Sequence, residues 1–252
     1  LFIQKLLKTI LKSSLSSLIV QNSDDFQKIK ARKLVEDTRI SLIKGSGISS
    51  NEFPFTKEPK NDVPIVILAS RLLYEKGVRE FYEAAKILYE KKYNVRFILV
   101  GDTQKSNPRS VPLDLIKSWV DTGVIEWWGR REDTFSVISS SNIVCLPSRY
   151  GEGVPKVILE AASVGRPLVV SDNPGCMELV THKETGLIAK NSEPNQIAMC
   201  VIQLLENKDL REKIILNAIK KIKSEFSSNM VVNQTLKVYK KRDDEIRLTS
   251  GF

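Results

Sequence analysis

The chain has 252 residues, 42% of them hydrophobic, which is enough for a packed core and argues against wholesale disorder. Its 39 Lys and Arg outnumber its 30 Asp and Glu, giving a net charge of +9. That surplus suits a polyanionic ligand or an anionic membrane face, while the lack of interleaved aromatic and basic residues or of any RNP or zinc-finger pattern sets nucleic acid aside.

The cysteines, Cys145, Cys176 and Cys200, are widely spaced, as suits a reducing cytoplasm. His182 is the single histidine. With no Cys-x-x-Cys and no Asp-x-Asp pair to hold a divalent ion against a diphosphate, no metal site is expected. No apolar run is long enough to span a bilayer.

Residues 1–15 carry apolar side chains at helical period, with Lys5, Lys8 and Lys12 on the remaining face. Two readings stand: contact with a membrane surface, or a core-facing helix with wet lysines. Leu18-Ile19-Val20 reads as a strand. Ser23 is placed as an N-cap, with Asp24 and Asp25 in the first turn of a helix running to about Val35. Arg39 to Ile43 is a second strand, closed by Gly45-Ser46-Gly47. Residues 48–62 lack periodicity and carry Pro54 and Pro59, so they read as a linker.

Beyond the linker, strands and helices alternate. Strands are expected at 64–70, 94–100, 124–128, 142–146, 167–171 and 186–189. Helices are expected at 78–91, 111–121, 133–139, after Pro155, at about 176–181, and from about Pro194, Lys208 and Ser228. The tail from Arg242 to Phe252 is expected to fray. This alternation predicts an α/β, Rossmann-like parallel sheet with helices on both faces. Such sheets bind ligands beyond the carboxyl ends of their strands. The loops there begin at Arg71, Gly101, Gly129, Pro147 and Ser171, and they should share one rim.

The segment from Arg149 to Ala162 holds the densest chemistry. Gly151 and Gly153 permit tight turns and close backbone approach. Pro155 suits the first turn of a helix. The free N–H groups of that first turn, with the helix dipole, make an anion site. Glu152 lies before that site and Glu160 inside the helix, about 9 Å along its axis from Val154. A carboxylate in an otherwise apolar run needs partners, which singles out Glu160. Arg71 and Lys76, in the loop after the 64–70 strand, suit phosphate oxygens.

Arg71 with Lys76-Gly77, followed by Glu152 and then Glu160, resembles the donor-binding half of family-four retaining glycosyltransferases of the GT-B fold. Ile19-Val20-Gln21-Asn22-Ser23-Asp24-Asp25, Glu126-Trp127-Trp128-Gly129-Arg130-Arg131 and Pro174-Gly175-Cys176 resemble the subgroup that builds bacterial O-antigen, capsule and related glycan precursors on a polyprenyl diphosphate. The resemblance implies transfer of a hexose or N-acetylhexosamine, with retention, from a UDP-linked donor to a lipid-diphosphate-linked acceptor. It implies no cofactor beyond the nucleotide diphosphate sugar as co-substrate, and a cytoplasmic setting with peripheral contact at the inner membrane face.

Its roles fall on this chain residue by residue. Arg71 and Lys76 would hold the diphosphate and stabilise it as a leaving group, assisted by backbone from Gly153 through Val154 and Pro155 to Lys156. Glu152 would meet the donor sugar near its anomeric centre. Glu160 would accept from the ribose hydroxyls, and backbone near Arg130 would meet the base. The resemblance also implies that residues 1–47 are the remnant of an acceptor domain, 48–62 the linker, 63–241 the donor domain and 242–252 a tail. A nucleotide-sugar epimerase of the same fold and a non-catalytic nucleotide-binding module are the rival readings.

Overall fold

A computed structural model describes residues 9–11, 16–104 and 106–250 of the chain. Of the helix expected over residues 1–15, only 9–11 fall among them, and these are helical; the rest of that expectation lies outside the described residues.

An N-terminal unit comes first: β1 (Leu18–Val20), α1 (Ser23–Ala31) and β2 (Ile40–Leu42), with β1 and β2 paired in parallel. The main body follows with β3 (Ile65–Ala69), α2 (Val78–Glu90), β4 (Arg96–Val100), α3 (Leu113–Asp121), β5 (Glu126–Trp127), α4 (Thr134–Ser139) and β6 (Ile143–Leu146). It continues through α5 (Lys156–Val164), β7 (Leu168–Ser171), α6 (Pro174–Met177), β8 (Leu187–Ala189), α7 (Pro194–Glu206), α8 (Lys208–Glu225) and α9 (Ser228–Ser250). Strands β3 to β8 form one sheet in the order β5-β4-β3-β6-β7-β8, and every pairing in it is parallel.

Side chains along a strand alternate between faces, and the core divides accordingly. Val66, Leu68, Phe97, Leu99, Ile143 and Cys145 point to a core shared with α2, α3 and α7. Ile65, Ile67, Ile98, Val100, Val144 and Leu146 point to a second core shared with α4, α5 and α8. Both faces are covered, so the strands are apolar throughout rather than alternating. Burying each such Val, Leu, Ile or Phe contributes about 1.5–3 kcal/mol.

Four local expectations need correction. The N-cap of α1 is Asn22, not Ser23: the Asp25 N–H donates to Asn22 Oδ1 at 2.7 Å, and Ser23 N–H is drawn instead to a carboxylate elsewhere. That helix ends at Ala31 because Lys33 takes a left-handed backbone (φ 47°), well before Val35. The short helix α6 occupies Pro174–Met177 rather than 176–181, capped by Asn173 with Pro174 in its first turn. The tail does not fray at Arg242, since α9 runs on to Ser250. Arg242 pairs with Glu245 at 2.5 Å, and Lys241 Nζ donates to Thr38 O at 3.1 Å, which ties that helix to the N-terminal unit.

The stretch 48–62 has no regular structure, as its composition predicts, yet it is strapped to the body. Ile48 exchanges backbone hydrogen bonds with Phe226 and Ser228, and Phe53 is buried. Arg166 is 1% exposed, and its guanidinium donates to Thr56 Oγ1, Thr56 O (3.2 Å), Lys57 O (2.9 Å) and Ser139 O (3.2 Å). Burial pushes its pKa down to about 10, with Glu58 opposing, so it stays charged at neutral pH. Asn142 continues the strap, donating to Glu58 Oε1 and Pro59 O. Arg166→Ala should therefore leave several carbonyls without partners, at about 1–3 kcal/mol for each buried group so stranded. Limited proteolysis at neutral pH should show new cleavage within 54–60 before the body is cut; simultaneous loss of both would show that the strap has no separate anchorage.

Candidate functional site

Chain order reverses its direction across the sheet between β3 and β6, and a crevice at such a switch point is where open α/β sheets hold ligands. The loop after β3 carries Arg71 and a short helical turn, Tyr74–Lys76. The loop after β6 runs from Pro147 to Pro155, where α5 begins.

Glycine lets these loops touch. Gly77 has φ 74°, and a Cβ there would lie 2.0 Å from Pro147 O. On the other side, a Cβ on Gly175 would lie 2.4 Å from Glu152 O and 2.1 Å from Gly153 O. Any side chain at either position would push the loop after β6 away from its neighbours.

The close approach brings Lys76 Nζ to 2.5 Å from Glu152 Oε2. The other carboxylate oxygen, Oε1, accepts from Ser148 Oγ at 3.1 Å. Arg71 is exposed and has no ion pair among the described residues. It lines a cleft of about 510 Å³ together with Gly101, Asp102, Arg130, Val157 and Glu160. Arg130 pairs with Glu132 at 3.4 Å and is exposed, while Arg131 forms a two-pronged pair with Asp133. The backbone beyond β5 is fixed by a hydrogen bond from Gly101 N–H to Gly129 O and one from the Trp127 indole to Gly101 O.

Glu160 is 6% exposed and faces this cleft from α5. Burial raises its pKa above the ordinary carboxylate range, and Lys156, 3.4 Å away one turn earlier, offsets part of that. Pro155 is the N-cap of α5, one position before the first turn where it was expected, and no side chain caps the helix. The amide end of α5 thus presents unsatisfied donors and a positive dipole end beside Gly153 and Val154. Val154 is itself buried, packed toward Gly45.

Arg71, Arg130 and Glu160 therefore share one cleft, while Lys76 and Glu152, which are not among its lining residues, hold each other across the switch point. Thr103 and Gln104 also line the cleft, and they follow the Gly101-Asp102 signal by one and two residues. His182 lies elsewhere, before β8 at the opposite end of the sheet, where its Nδ1 accepts from Ile188 N–H at 3.0 Å. Burial, with Lys183 and Lys190 nearby, lowers its pKa, and that placement removes the histidine an epimerase reading would draw on. Among the described residues, no group of three or more His, Cys, Asp or Glu gathers to hold a metal ion, and no helix is long and apolar enough to cross a membrane.

Comparison with known proteins decides the family. Residues 49–221 match the family described as "Glycosyl transferases group 1". The chain belongs to that family. It is 31% identical, over 81% of its length, to the N,N'-diacetylbacillosaminyl-diphospho-undecaprenol alpha-1,3-N-acetylgalactosaminyltransferase of Campylobacter jejuni, and covers 55% of that protein. It is 26% identical to the capsular polysaccharide biosynthesis glycosyltransferase CapM of Staphylococcus aureus, over 94% of this chain and 65% of that one. It is 25% identical to the UDP-Gal:alpha-D-GlcNAc-diphosphoundecaprenol alpha-1,3-galactosyltransferase of Escherichia coli, over 86% and 55%. The chain thus spans about half to two thirds of these relatives. Among solved structures, Anabaena HepE in complex with UDP superposes with a TM-score of 0.81 at 21% identity, over 94% of this chain and 68% of that one. A glycosyltransferase from Rickettsia africae gives 0.81 at 18%, over 94% and 67%. These likenesses establish the fold expected above, the GT-B half with its parallel sheet.

Sequence reasoning missed Glu178, which ties the N-terminal unit to the main body. It is 8% exposed, accepts from Ser23 N–H at 2.5 Å, and pairs with Lys44 at 3.2 Å. Lys44 in turn reaches Glu225 at 3.0 Å. The available signal is the one that marks Glu160: a lone carboxylate in an apolar run, here Cys176 to Val180. Burial works to raise the Glu178 pKa, but the hydrogen bonds from Ser23 and Lys44 outweigh it and hold the carboxyl below its ordinary value. A depressed carboxyl contributes stability above its unfolded pKa, about 4.3, and loses it as pH falls through the folded value. Glu178→Gln should therefore lower the melting temperature at pH 7 and flatten the stability profile below pH ~4; an unchanged acid limb would remove Glu178 from this role.

Proposed function

We propose that this chain binds a nucleotide diphosphate sugar at the β3–β6 switch point and acts, with the acceptor-binding part of its protein, as a sugar transferase. The observation that carries the reading is one cleft lined both by Arg71, which has no ion pair among the described residues, and by the buried Glu160, with the Lys76–Glu152 pair joining the two loops at the switch point. An unpaired guanidinium and an uncapped helix end are matched to a diphosphate, and a buried carboxylate to a pair of ribose hydroxyls. The base would rest against backbone near Arg130.

In this reading, breaking the sugar–diphosphate bond leaves negative charge on the departing oxygen. Arg71, Lys76 and the amide end of α5, from Gly153 to Lys156, stabilise that charge most in the transition state. Glu152, next to Lys76, meets the sugar near its anomeric carbon. No cofactor or metal takes part beyond the donor itself. The family resemblance supports retention of configuration. The Escherichia coli relative is named for UDP-galactose, and both it and the Campylobacter relative are named for lipid-diphosphate acceptors, which supports a UDP-linked hexose or N-acetylhexosamine and a polyprenyl-diphosphate glycan. Such an acceptor sits in a membrane, so we place the reaction at its cytoplasmic face with peripheral contact. Residues 1–47 would then belong with the acceptor side and 63–241 with the donor side.

Calorimetry with UDP and uridine tests the donor half directly. Arg71→Ala and Lys76→Ala should each weaken UDP by about 1.5–3 kcal/mol, some 10- to 150-fold, and leave uridine nearly unchanged. Glu160→Gln should weaken both. Equal losses for UDP and uridine in the Arg71 and Lys76 variants would mean that the loop after β3 is not the phosphate site.

A further inference from the structure

We infer that Ser148 is a positioning residue for Glu152, holding its carboxylate in place when the diphosphate engages Lys76; the inference rests on the reading of Glu152 as the sugar-binding carboxylate. A serine hydroxyl has one proton to give. Three acceptors lie near Ser148 Oγ: Glu152 Oε1 at 3.1 Å, Glu75 O at 3.2 Å and Tyr150 O at 3.5 Å. The carboxylate oxygen is nearest and is the charged one, so it takes the proton. Ser148 is 2% exposed, so little water competes for it.

The hydroxyl is held on a fixed backbone. Ser148 O accepts from the buried Ser171 Oγ at the end of β7 and from Ser192 Oγ at 3.4 Å, beyond β8. Asn173 donates to Tyr150 O, two residues further along the same loop. Two neighbouring segments, the β7–α6 junction and the stretch beyond β8, thus hold the backbone that carries the Ser148 hydroxyl.

Glu152 needs that anchor because its other partner has a second task. Its carboxylate is gripped by Lys76 on one oxygen and Ser148 on the other. A diphosphate at the amide end of α5 draws the Lys76 ammonium toward itself. A side chain a quarter exposed would then be free to turn to solvent. Ser148 keeps it facing the sugar, and no charge has to move for it to do so.

The test compares UDP with UDP-N-acetylgalactosamine, UDP-N-acetylglucosamine and UDP-galactose by calorimetry on the full chain, after melting curves confirm that each variant is folded. The readout is the gain in affinity from adding the sugar. Ser148→Ala should leave UDP affinity within about twofold and cut the sugar gain about tenfold. Ser148→Thr, which keeps the hydroxyl, should restore the gain; if it does not fold, Ser148→Cys, a weaker donor, should give an intermediate value. In the Glu152→Gln background, Ser148→Ala should change nothing further. If Glu152→Gln abolishes the gain and Ser148→Ala does not reduce it, the inference fails while the reading of Glu152 stands. If Ser148→Ala weakens UDP and the sugar nucleotides alike, its role is structural and the inference also fails. If the unaltered chain shows no gain with any of the three sugars, or Glu152→Gln leaves the gain intact, the reading of Glu152 falls and takes this inference with it.

Discussion

The Lys76–Glu152 ion pair sets the geometry on which the site depends. It joins the loop after β3 to the loop after β6, the two strands that flank the reversal in the sheet. Both partners are largely buried, at 16% and 25% side-chain exposure, so desolvation offsets much of their attraction. The pair is therefore weak evidence for stability. Its consequence is positional: it holds a cation and an anion in contact at the reversal of the sheet, an arrangement suited to the two halves of the sugar diphosphate proposed above. The contact exists because Gly77 lets the first loop lie on Pro147.

Glu160 and Arg71 show the complementary arrangement. Neither is well satisfied within the protein. Glu160 is buried with only the mostly exposed Lys156 nearby, and Arg71 has no ion pair among the described residues. The folded chain bears the desolvation of one and leaves the other hydrated. Groups left in this state are suited to partners that arrive later, because a ligand can supply hydrogen bonds that the protein withholds.

Much of the fold was legible because parallel strands covered on both faces read as short, wholly apolar runs. Ile65–Ala69, Ile143–Leu146 and Leu168–Ser171 fall within a residue or two of their expected bounds. The places where local reading failed are those decided by distant contacts. Asn22 and Ser23 are both competent caps, and Glu178, 155 residues away, decides between them by taking the Ser23 N–H. The stretch 48–62 carries no pattern of its own because its order comes from Arg166 and Asn142, which belong to other segments. The candidate residues were legible as residue types in the loops beyond the strands, but their pairing was not. Nothing in local sequence says that Lys76 rests on Glu152, or that Ser148 holds its other carboxylate oxygen.

The N-terminal unit bears on that same loop. Asn22 Nδ2 donates to Glu152 O at 3.3 Å, and a Cβ on Gly153 would lie 2.3 Å from Gln21 Oε1. Glu178, just beyond α6, holds Ser23 at the start of α1 and Lys44 just beyond β2. The backbone of Glu152 is thus gripped from the N-terminal unit while its carboxylate is gripped from the main body. A shift of the unit against the body would move the Glu152 backbone while Lys76 and Ser148 retain its carboxylate, so the two motions are opposed within one residue. The loop from Ser148 to Gly153 is thus held from both the N-terminal unit and the main body. Two glycines permit these close approaches: a Cβ on Gly153 would meet the Gln21 side chain of the N-terminal unit, and one on Gly175 would meet Glu152 O and Gly153 O within the main body.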